Sequence, residues 1–399
     1  MELMEKQGYK VTEVGLIPKD WNDESIGDLA SISTGGSDTQ DRVDDGIYPF
    51  FVRSQTIERI NKYSFDGEAI LTSGDGVGVG KIFHYVNCKF DYHQRVYNIH
   101  NYRKDVSGKY LYYQFSTKFY DRVMAMTAKS SVDSVRREMI ADMKIPLPPT
   151  LEEQKAIATA LSDVDELISN LDKLITKKKA IKQGAMQQLL TPPHKGCKRL
   201  EGFTGEWMEI KLGEIADFYK GKGLPKSDIV EGGRYKCIHY GELFTKYNQI
   251  ITNVKSRTNQ NSNVLLSKKN DVLMPTSDVT PNGLATASVI FENDIILGGD
   301  VLVIRPHKNL YGGFLSYQVS INKQQIMSLI TGTTVFHLYG SDMAKFSFYF
   351  PDFEEQKAIV DIINDMDIEI EKLETKKTKY QSVKHGMMQE LLTGKTRLV

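Results

Sequence analysis

From Leu151 onward, apolar residues recur at alternating steps of four and three: Ile157, Leu161, Val164, Ile168, Leu171 and Ile175. A 3.5-residue period places them on one stripe of a helix that a second helix must cover. The spacing returns at Ile359, Ile363, Met366, Ile370 and Leu373 and runs on through Tyr380 to Met387 and Leu391. Pro146, Pro148 and Pro149 stand before the first stripe and Pro351 before the second, while Thr191-Pro192-Pro193 and Thr393-Gly394 close them. The pattern predicts two coiled-coil helices of about 40 residues, near 60 Å each at about 1.5 Å per residue.

Elsewhere the pattern changes to short aromatic and β-branched runs, which predict strands. Within residues 21–150 they are Tyr48–Arg53, Glu68–Ser73, Lys81–Val86 and Arg95–His100. Within residues 207–351 they are Tyr235–Tyr240, Asp271–Pro275, Ala285–Phe291 and Asp300–Arg305. Helices are expected near Lys109–Met126 and Leu310–Ile330. The expected class is α+β: two mixed, strand-rich domains joined by two long helices.

The chain repeats itself. Leu151–Thr191 aligns without a gap on Phe353–Thr393 at a constant offset of 202, with nineteen of 41 positions identical. Trp21, Gly27, Ala30 and Gly35 match Trp207, Gly213, Ala216 and Gly221, and Leu111, Tyr113 and Gln114 match Leu315, Tyr317 and Gln318. Between Gly35 and Asp75 the second copy carries about 17 extra residues relative to the first. A framework kept while its centre varies suits two similar domains reading two different things; drift in surface loops leaves the same trace.

Charge orients the helices. Residues 152–172 carry six acids and one base, and residues 173–191 five bases and no acid. Residues 354–374 carry eight acids and two bases, and residues 375–393 four bases and one acid. Antiparallel pairing sets each acidic half against a basic half, whereas parallel pairing stacks like on like. A duplicated domain on each of two antiparallel helices makes a pseudo-twofold internal repeat.

Composition narrows the partners. The 399 residues are 40% hydrophobic and 26% charged, the balance of a folded globular protein with room for more than one core. The 51 Lys and Arg balance 51 Asp and Glu, so net charge supplies no pull toward nucleic acid. No apolar run approaches the roughly 20 residues that span a bilayer, and Met1–Asp20 has no signal-peptide core. Three widely spaced cysteines, Cys88, Cys197 and Cys237, fit a reducing compartment, and a cytoplasmic location without membrane contact is expected.

Catalytic signatures are missing. Gly74–Lys81 is glycine-rich, but Val79 stands where a P-loop needs its second glycine, and Ile82 follows Lys81 where Ser or Thr is required. His84, Cys88, His93 and His100 match no zinc spacing. No Asn/Asp-Pro-Pro-Tyr/Phe motif occurs, and Pro351-Asp352 stands too close to Glu355-Gln356-Lys357 for a metal-dependent nuclease. No catalytic residue and no metal ligand is expected.

Binding remains. In the first domain Arg53, Lys62, Lys81, Lys89 and Arg95, interleaved with tyrosines, suit a DNA-facing surface, with loop glycines Gly76 and Gly78 able to let backbone approach phosphate. In the second, Lys220, Lys222, Lys226, Arg234, Lys236, Lys255 and Arg257 take that part. With charges so evenly balanced, affinity for DNA alone should be weak.

Two variable segments are each opened by a Trp and a Gly-Asp/Glu-Leu/Ile-Ala element (WNDESIGDLA, WMEIKLGEIA) and closed by a proline-bounded strand and an EEQKAI helix ending in Gln-Gln/Glu-Leu-Leu-Thr. This arrangement, with TEVGLIPKDW at Thr12–Trp21, resembles the specificity subunit of type I restriction-modification enzymes over essentially the whole chain. The resemblance implies residues 1–150 as a first target-recognition domain, 151–191 as a coiled-coil helix and spacer, and 192–206 as a linker. Residues 207–351 become a second recognition domain, 352–393 a second coiled-coil helix and 394–399 a tail.

It further implies a non-catalytic subunit whose domains each read half of a bipartite, asymmetric target on double-stranded DNA. The coiled coil would set half-site spacing and dock two methyltransferase subunits, which use S-adenosylmethionine; two motor-nuclease subunits would use ATP and Mg. Gln154, Ile157, Leu161, Val164, Ile168 and Leu171, with Gln356, Ile359, Ile363, Met366, Ile370 and Leu373, become the coiled-coil and subunit interface. The chain itself is expected to bind no cofactor. In the second copy Phe348-Tyr349-Phe350-Pro351 replaces the proline-rich Ile145–Pro149, a departure that bears on local geometry. Two other classes stay open: an interaction scaffold, and an enzyme with an unrecognised site.

Overall fold

The computed structural model describes residues 8–76, 78–127 and 134–398; Val77 of the glycine-rich loop lies outside them. Two compact units form, Met1–Leu171 with Lys376–Val399, and Asp172–Thr375. Both divisions fall inside the long helices, so each unit owns the start of one helix and the end of the other. Among the described residues no helix is long and apolar enough to cross a membrane.

The first unit holds a six-stranded sheet of β1 (Ser31–Thr34), β2 (Tyr48–Phe51), β3 (Ile57–Ile60), β4 (Phe65–Ser73), β5 (Phe83–Tyr92) and β6 (Val96–His100), in the order β1-β6-β4-β5-β2-β3. Neighbours are antiparallel except β2 with β5. Residues 93–95 alone separate β5 from β6, yet these strands flank β4 on opposite sides, Phe90 facing Phe65 and Val96 facing Ser73. From Tyr92 to Val96 the chain reaches at most about 14 Å, against about 27 Å for the nine residues of β4. The sheet therefore curls. Gly35 permits part of this, because a Cβ there would stand 1.9 Å from the Tyr92 carbonyl oxygen.

Side chains alternate across the sheet. Ile32, Ile70 and Ile99 face α1 (Gly108–Thr127), the start of α2 (Leu151–Leu189) and Trp21, while Phe51, Leu71, Phe90 and Val96 close the other side. The matched Gly221 of the second unit has the matched reason, its Cβ falling 1.9 Å from the Gly298 carbonyl oxygen.

The second unit rebuilds this framework from β7 (Ala216–Lys220), β8 (Tyr235–Ile238), β9 (Ile250–Ile251), β10 (Arg257–Thr258), β11 (Leu265–Leu266), β12 (Asp271–Pro275), β13 (Ser288–Ile290), β14 (Ile296–Leu297) and β15 (Val301–Pro306). They form sheets β7-β15-β12-β13-β9 and β10-β8-β14-β11. The parallel pair Phe50–Asp91 returns as Cys237–Ile296, and the antiparallel pair Tyr48–Ile60 as Tyr235–Thr258. Where the first unit has the single strand β5, the second has β13 and β14. Most of the extra residues lie between β8 and β10, as a short helix Glu242–Thr245 and β9. The expected helix Leu310–Ile330 is instead two, α3 (Gly312–Ile321) and α4 (Lys323–Leu329). Asn322 divides them, its Nδ2 donating to the Gln318 carbonyl at 2.9 Å and so competing with the helix ladder.

Helix α5 (Phe353–Leu391) equals α2 in length at 39 residues. In the first unit Asp165 of α2 meets Lys384 of α5 at 2.5 Å. In the second, Lys178 meets Glu369 at 2.7 Å and Lys182 meets Asp367. In that pair of contacts one number rises as the other falls, so the helices run antiparallel, acid against base. The stripe is covered as its period requires: Ile157, Leu161, Val164, Leu171, Ile359, Ile363 and Ile370 are buried, and Ile168, Met366 and Leu373 half-buried. Its first turns do double duty, since Ile157 and Leu161, like Ile359 and Ile363, belong to the cores of their domains.

Candidate nucleic-acid interface

The curl of the first sheet gathers Arg53 after β2, Asp75 after β4 and Arg95 before β6 into one corner. Arg53 Nη1 donates to Asp75 Oδ1 at 2.9 Å, and Arg95 Nε stands 3.8 Å from Asp75 Oδ2. The glycine-rich loop closes on the same place: the Cβ position of Gly78 lies 3.3 Å from the Arg53 carbonyl oxygen, and that of Gly74 lies 2.8 Å from the Arg95 carbonyl oxygen. Lys81 stands 5.2 Å over the Tyr120 ring. Gly76 is exposed and takes a φ of +78°, open to glycine at little cost. Several loop amides are used internally, Val79 donating to the Gly76 carbonyl and Lys81 and Ile82 to that of Gly78.

Buried His93 lies under this corner. Burial, then the positive charge of Arg53, holds its imidazole below the usual value. Its Nδ1 accepts the Arg95 backbone N–H at 2.9 Å, the arrangement of a neutral ring. Beside it the buried Asp91 carboxylate accepts from Ser37 Oγ at 2.6 Å and Ser64 Oγ at 2.5 Å, so the charge is satisfied without a cation. Lys62 and Lys89 lie elsewhere: Lys89 stands 4.8 Å over the Tyr63 ring, and Lys62 lies 3.9 Å from Asp41.

In the second unit the candidates also divide. Lys220 lies 3.6 Å from Asp300, and the Lys222 N–H donates to the Leu297 carbonyl, so this lysine run, with Lys226, borders the Gly298–Asp300 turn. Arg234 stacks 5.4 Å from Tyr235, Lys236 pairs with Glu292 at 2.6 Å, and Arg257 Nη1 reaches the Gly233 carbonyl at 3.3 Å, all on β8 and β10 or just before them. Lys255 is exposed on the added segment. That segment is anchored by buried Glu242, which accepts from the His239 N–H at 2.9 Å, Lys246 Nζ at 2.6 Å and Ser256 Oγ. Burial raises the Cys237 thiol nearby to about 11, which leaves it unreactive at neutral pH. Among the described residues no three His, Cys, Asp or Glu side chains gather as a metal set.

Gln154 and Gln356 are spent inside their units. Gln154 Nε2 donates to the Asp105 and Pro148 carbonyls and its Oε1 accepts the Ser107 N–H. Gln356 repeats this with Asn309, Pro351 and Tyr311. Both are buried, so their role is to pin the start of a long helix to its domain. The proline-poor Phe348–Pro351 thus keeps the geometry of its counterpart.

Several residues that hold the frame escape a reading of spacing. Tyr113 Oη donates to Asp165, which pairs with Lys384; Tyr317 Oη donates to Asp367, which pairs with Lys182. Gln114 Nε2 donates to the Leu392 carbonyl and Gln318 Nε2 to that of Leu190, each capping the end of the other copy's helix. Arg397 forks onto Glu153 and Arg199 onto Glu355. The matched Tyr113-Gln114 and Tyr317-Gln318 pairs were the available signal. Buried Asp271, bound by Arg305 at 2.8 Å through both carboxylate oxygens, had none.

Two curled-sheet domains, each seated on the start of one long helix and the end of another and each carrying exposed basic side chains at its strand ends, define a duplicated DNA-recognition architecture. The model of the type I restriction modification DNA specificity domain matches residues 18–183 and again 204–380, and the chain belongs to that family. It is similar to the MjaVIII specificity subunit of Methanocaldococcus jannaschii, 26% identical over all of this chain and 98% of that one. Part of it, 43%, is 27% identical to 38% of the EcoDI specificity subunit of Escherichia coli. Its fold is similar to the type I restriction-modification S subunit from M. genitalium, with a TM-score of 0.67 at 18% identity over 96% of this chain and 97% of that one. It also resembles, with a TM-score of 0.54 at 14% identity over 95% and 99% of the chains, one from a study of type I complex assembly and conformational transition.

Proposed function

We propose that each domain reads one half of a bipartite, asymmetric sequence on double-stranded DNA, and that the paired helices set the spacing between halves. The observation that carries this is one frame with two different corners. The Tyr–Asp–Lys sets, the glutamine caps and the arginine forks recur, while the loops at the strand ends do not. A repeated frame with unlike loops suits two readers of unlike sequence.

In this reading the chain performs no chemistry. It docks two methyltransferase subunits, which bring S-adenosylmethionine, and two motor-nuclease subunits, which bring ATP and Mg. The balance of 51 bases against 51 acids supports a division of labour in which partners supply much of the phosphate affinity. The test is to co-express the chain with its cognate methyltransferase subunit and map N6-methyladenine in host DNA. One bipartite motif that vanishes when this chain is omitted is expected. A stable complex with active methyltransferase and no such motif would instead favour a scaffold.

A further inference from the structure

We infer that Arg53 and Arg95, held from between by Asp75, read guanine, so that the half-site of the first domain contains a G·C pair whose identity depends on them. This rests on the specificity reading above and goes beyond it by naming the base and the side chains.

Each guanidinium carries five N–H donors in a planar fork, and one carboxylate cannot occupy both forks. Arg53 gives Asp75 a single donor at 2.9 Å, Arg95 approaches only to 3.8 Å, and their side chains are 46% and 66% exposed. Donors are therefore left over at the surface. The backbone that carries the carboxylate is held in place: Ser73 Oγ donates to the Asp75 carbonyl at 2.8 Å, and the Val135 N–H donates to the Gly74 carbonyl at 2.6 Å. An orienter on anchored backbone beneath two projecting forks is preorganised for a planar, two-acceptor edge.

Guanine offers such an edge in the major groove through O6 and N7. A phosphate would meet the same donors but also the Asp75 charge, which repels it, whereas a base edge is neutral. The ion trio therefore favours bases over backbone.

The second domain supports the assignment by contrast. The Gly74 N–H donates to the Arg95 carbonyl, and the Thr276 N–H donates to that of Asp300, which marks Asp300 as the counterpart of Arg95. Ser277 stands for Asp75: it follows Thr276 as Asp75 follows Gly74, it pairs with His337 as Asp75 pairs with Ser134, and its Oγ lies 3.0 Å from His337 Nδ1. Tyr240 stands for Arg53. No guanidinium occupies these three positions, so the two corners ask for different bases.

The experiment maps N6-methyladenine for the full chain with its methyltransferase, comparing wild type with R53K, R95K, R53Q, R95Q and D75N. The lysine variants keep the charge and lose the fork. The expected result is a wild-type motif with a G·C pair in one half, degenerate at that pair in an arginine variant. Methylation of the wrong-base sites should rise about tenfold relative to the correct ones, with the other half unchanged, and D75N should blur the same pair. Lysine variants with the wild-type motif, or a uniform loss of methylation without a motif change, would assign these arginines to phosphate and overturn the inference. So would a half-site free of G·C. Absence of any bipartite motif in wild type would sink the specificity reading instead.

Discussion

Arg397 binds two distant parts of the first unit. Its guanidinium donates to Glu153 at 2.5 and 2.8 Å and to Asp20 at 2.9 Å twice, and lies 5.6 Å from the Trp21 ring. The arginine holds the Asp20 carboxyl below its usual range. Arg199 repeats the fork on Glu355 at 3.0 and 2.5 Å. Both glutamates are about fully buried, at 2% and 1% exposure, so truncating either arginine strands a buried charge. R397A should cost about 3 kcal/mol in urea unfolding, with R397K recovering only part because lysine has no fork. The signal was present as Lys198-Arg199-Leu200 against Thr396-Arg397-Leu398. It lay beyond the gapless repeat, behind connections of unequal length, in stretches whose composition reads as linker and tail.

At the scale of elements, heptad spacing, charge gradient and flanking prolines located both long helices and their antiparallel sense, because these depend on local period and long-range sign. The expected strands formed, Asp271–Pro275 where predicted and Val96–His100 within one residue of its expected start, whereas Ser31–Thr34, Ile57–Ile60 and Ala216–Lys220 were not foreseen. Their order was not legible, since β5 and β6 are adjacent in sequence yet separated by β4, a choice made by the curl. Register was equally hidden. It is held by Tyr317, Asp367 and Lys182, where Lys182 and Asp367 are only 16% and 18% exposed and the Lys182 ammonium lies 5.7 Å from the Tyr317 ring. A double-mutant cycle with K182A and D367A should therefore show coupling of about 1–2 kcal/mol in chemical denaturation, more than an exposed pair gives. Coupling near zero would mean that the apolar stripe alone sets register.

For the whole molecule, the prediction concerns distance along DNA. Four residues inserted near Lys177 add about 6 Å of helix, so the preferred spacer should change by about one to two base pairs while both half-sites stay the same. Methylation mapping of the insertion variant checks this, and an unchanged spacer would remove the helices from the role of ruler. By itself the sequence determined the duplication, the two long helices, their opposed direction and the membership of the family, because periodicity, repetition and charge order are properties of the linear chain. Only the tertiary structure decided that Arg53, Asp75 and Arg95 form one cluster while Lys62 turns to Asp41 and Lys89 to the Tyr63 ring. It likewise decided that residues beyond each helix return to clamp the other's start. Those outcomes depend on how a sheet curls and where chain ends return, and such closures bring together residues that no local spacing relates.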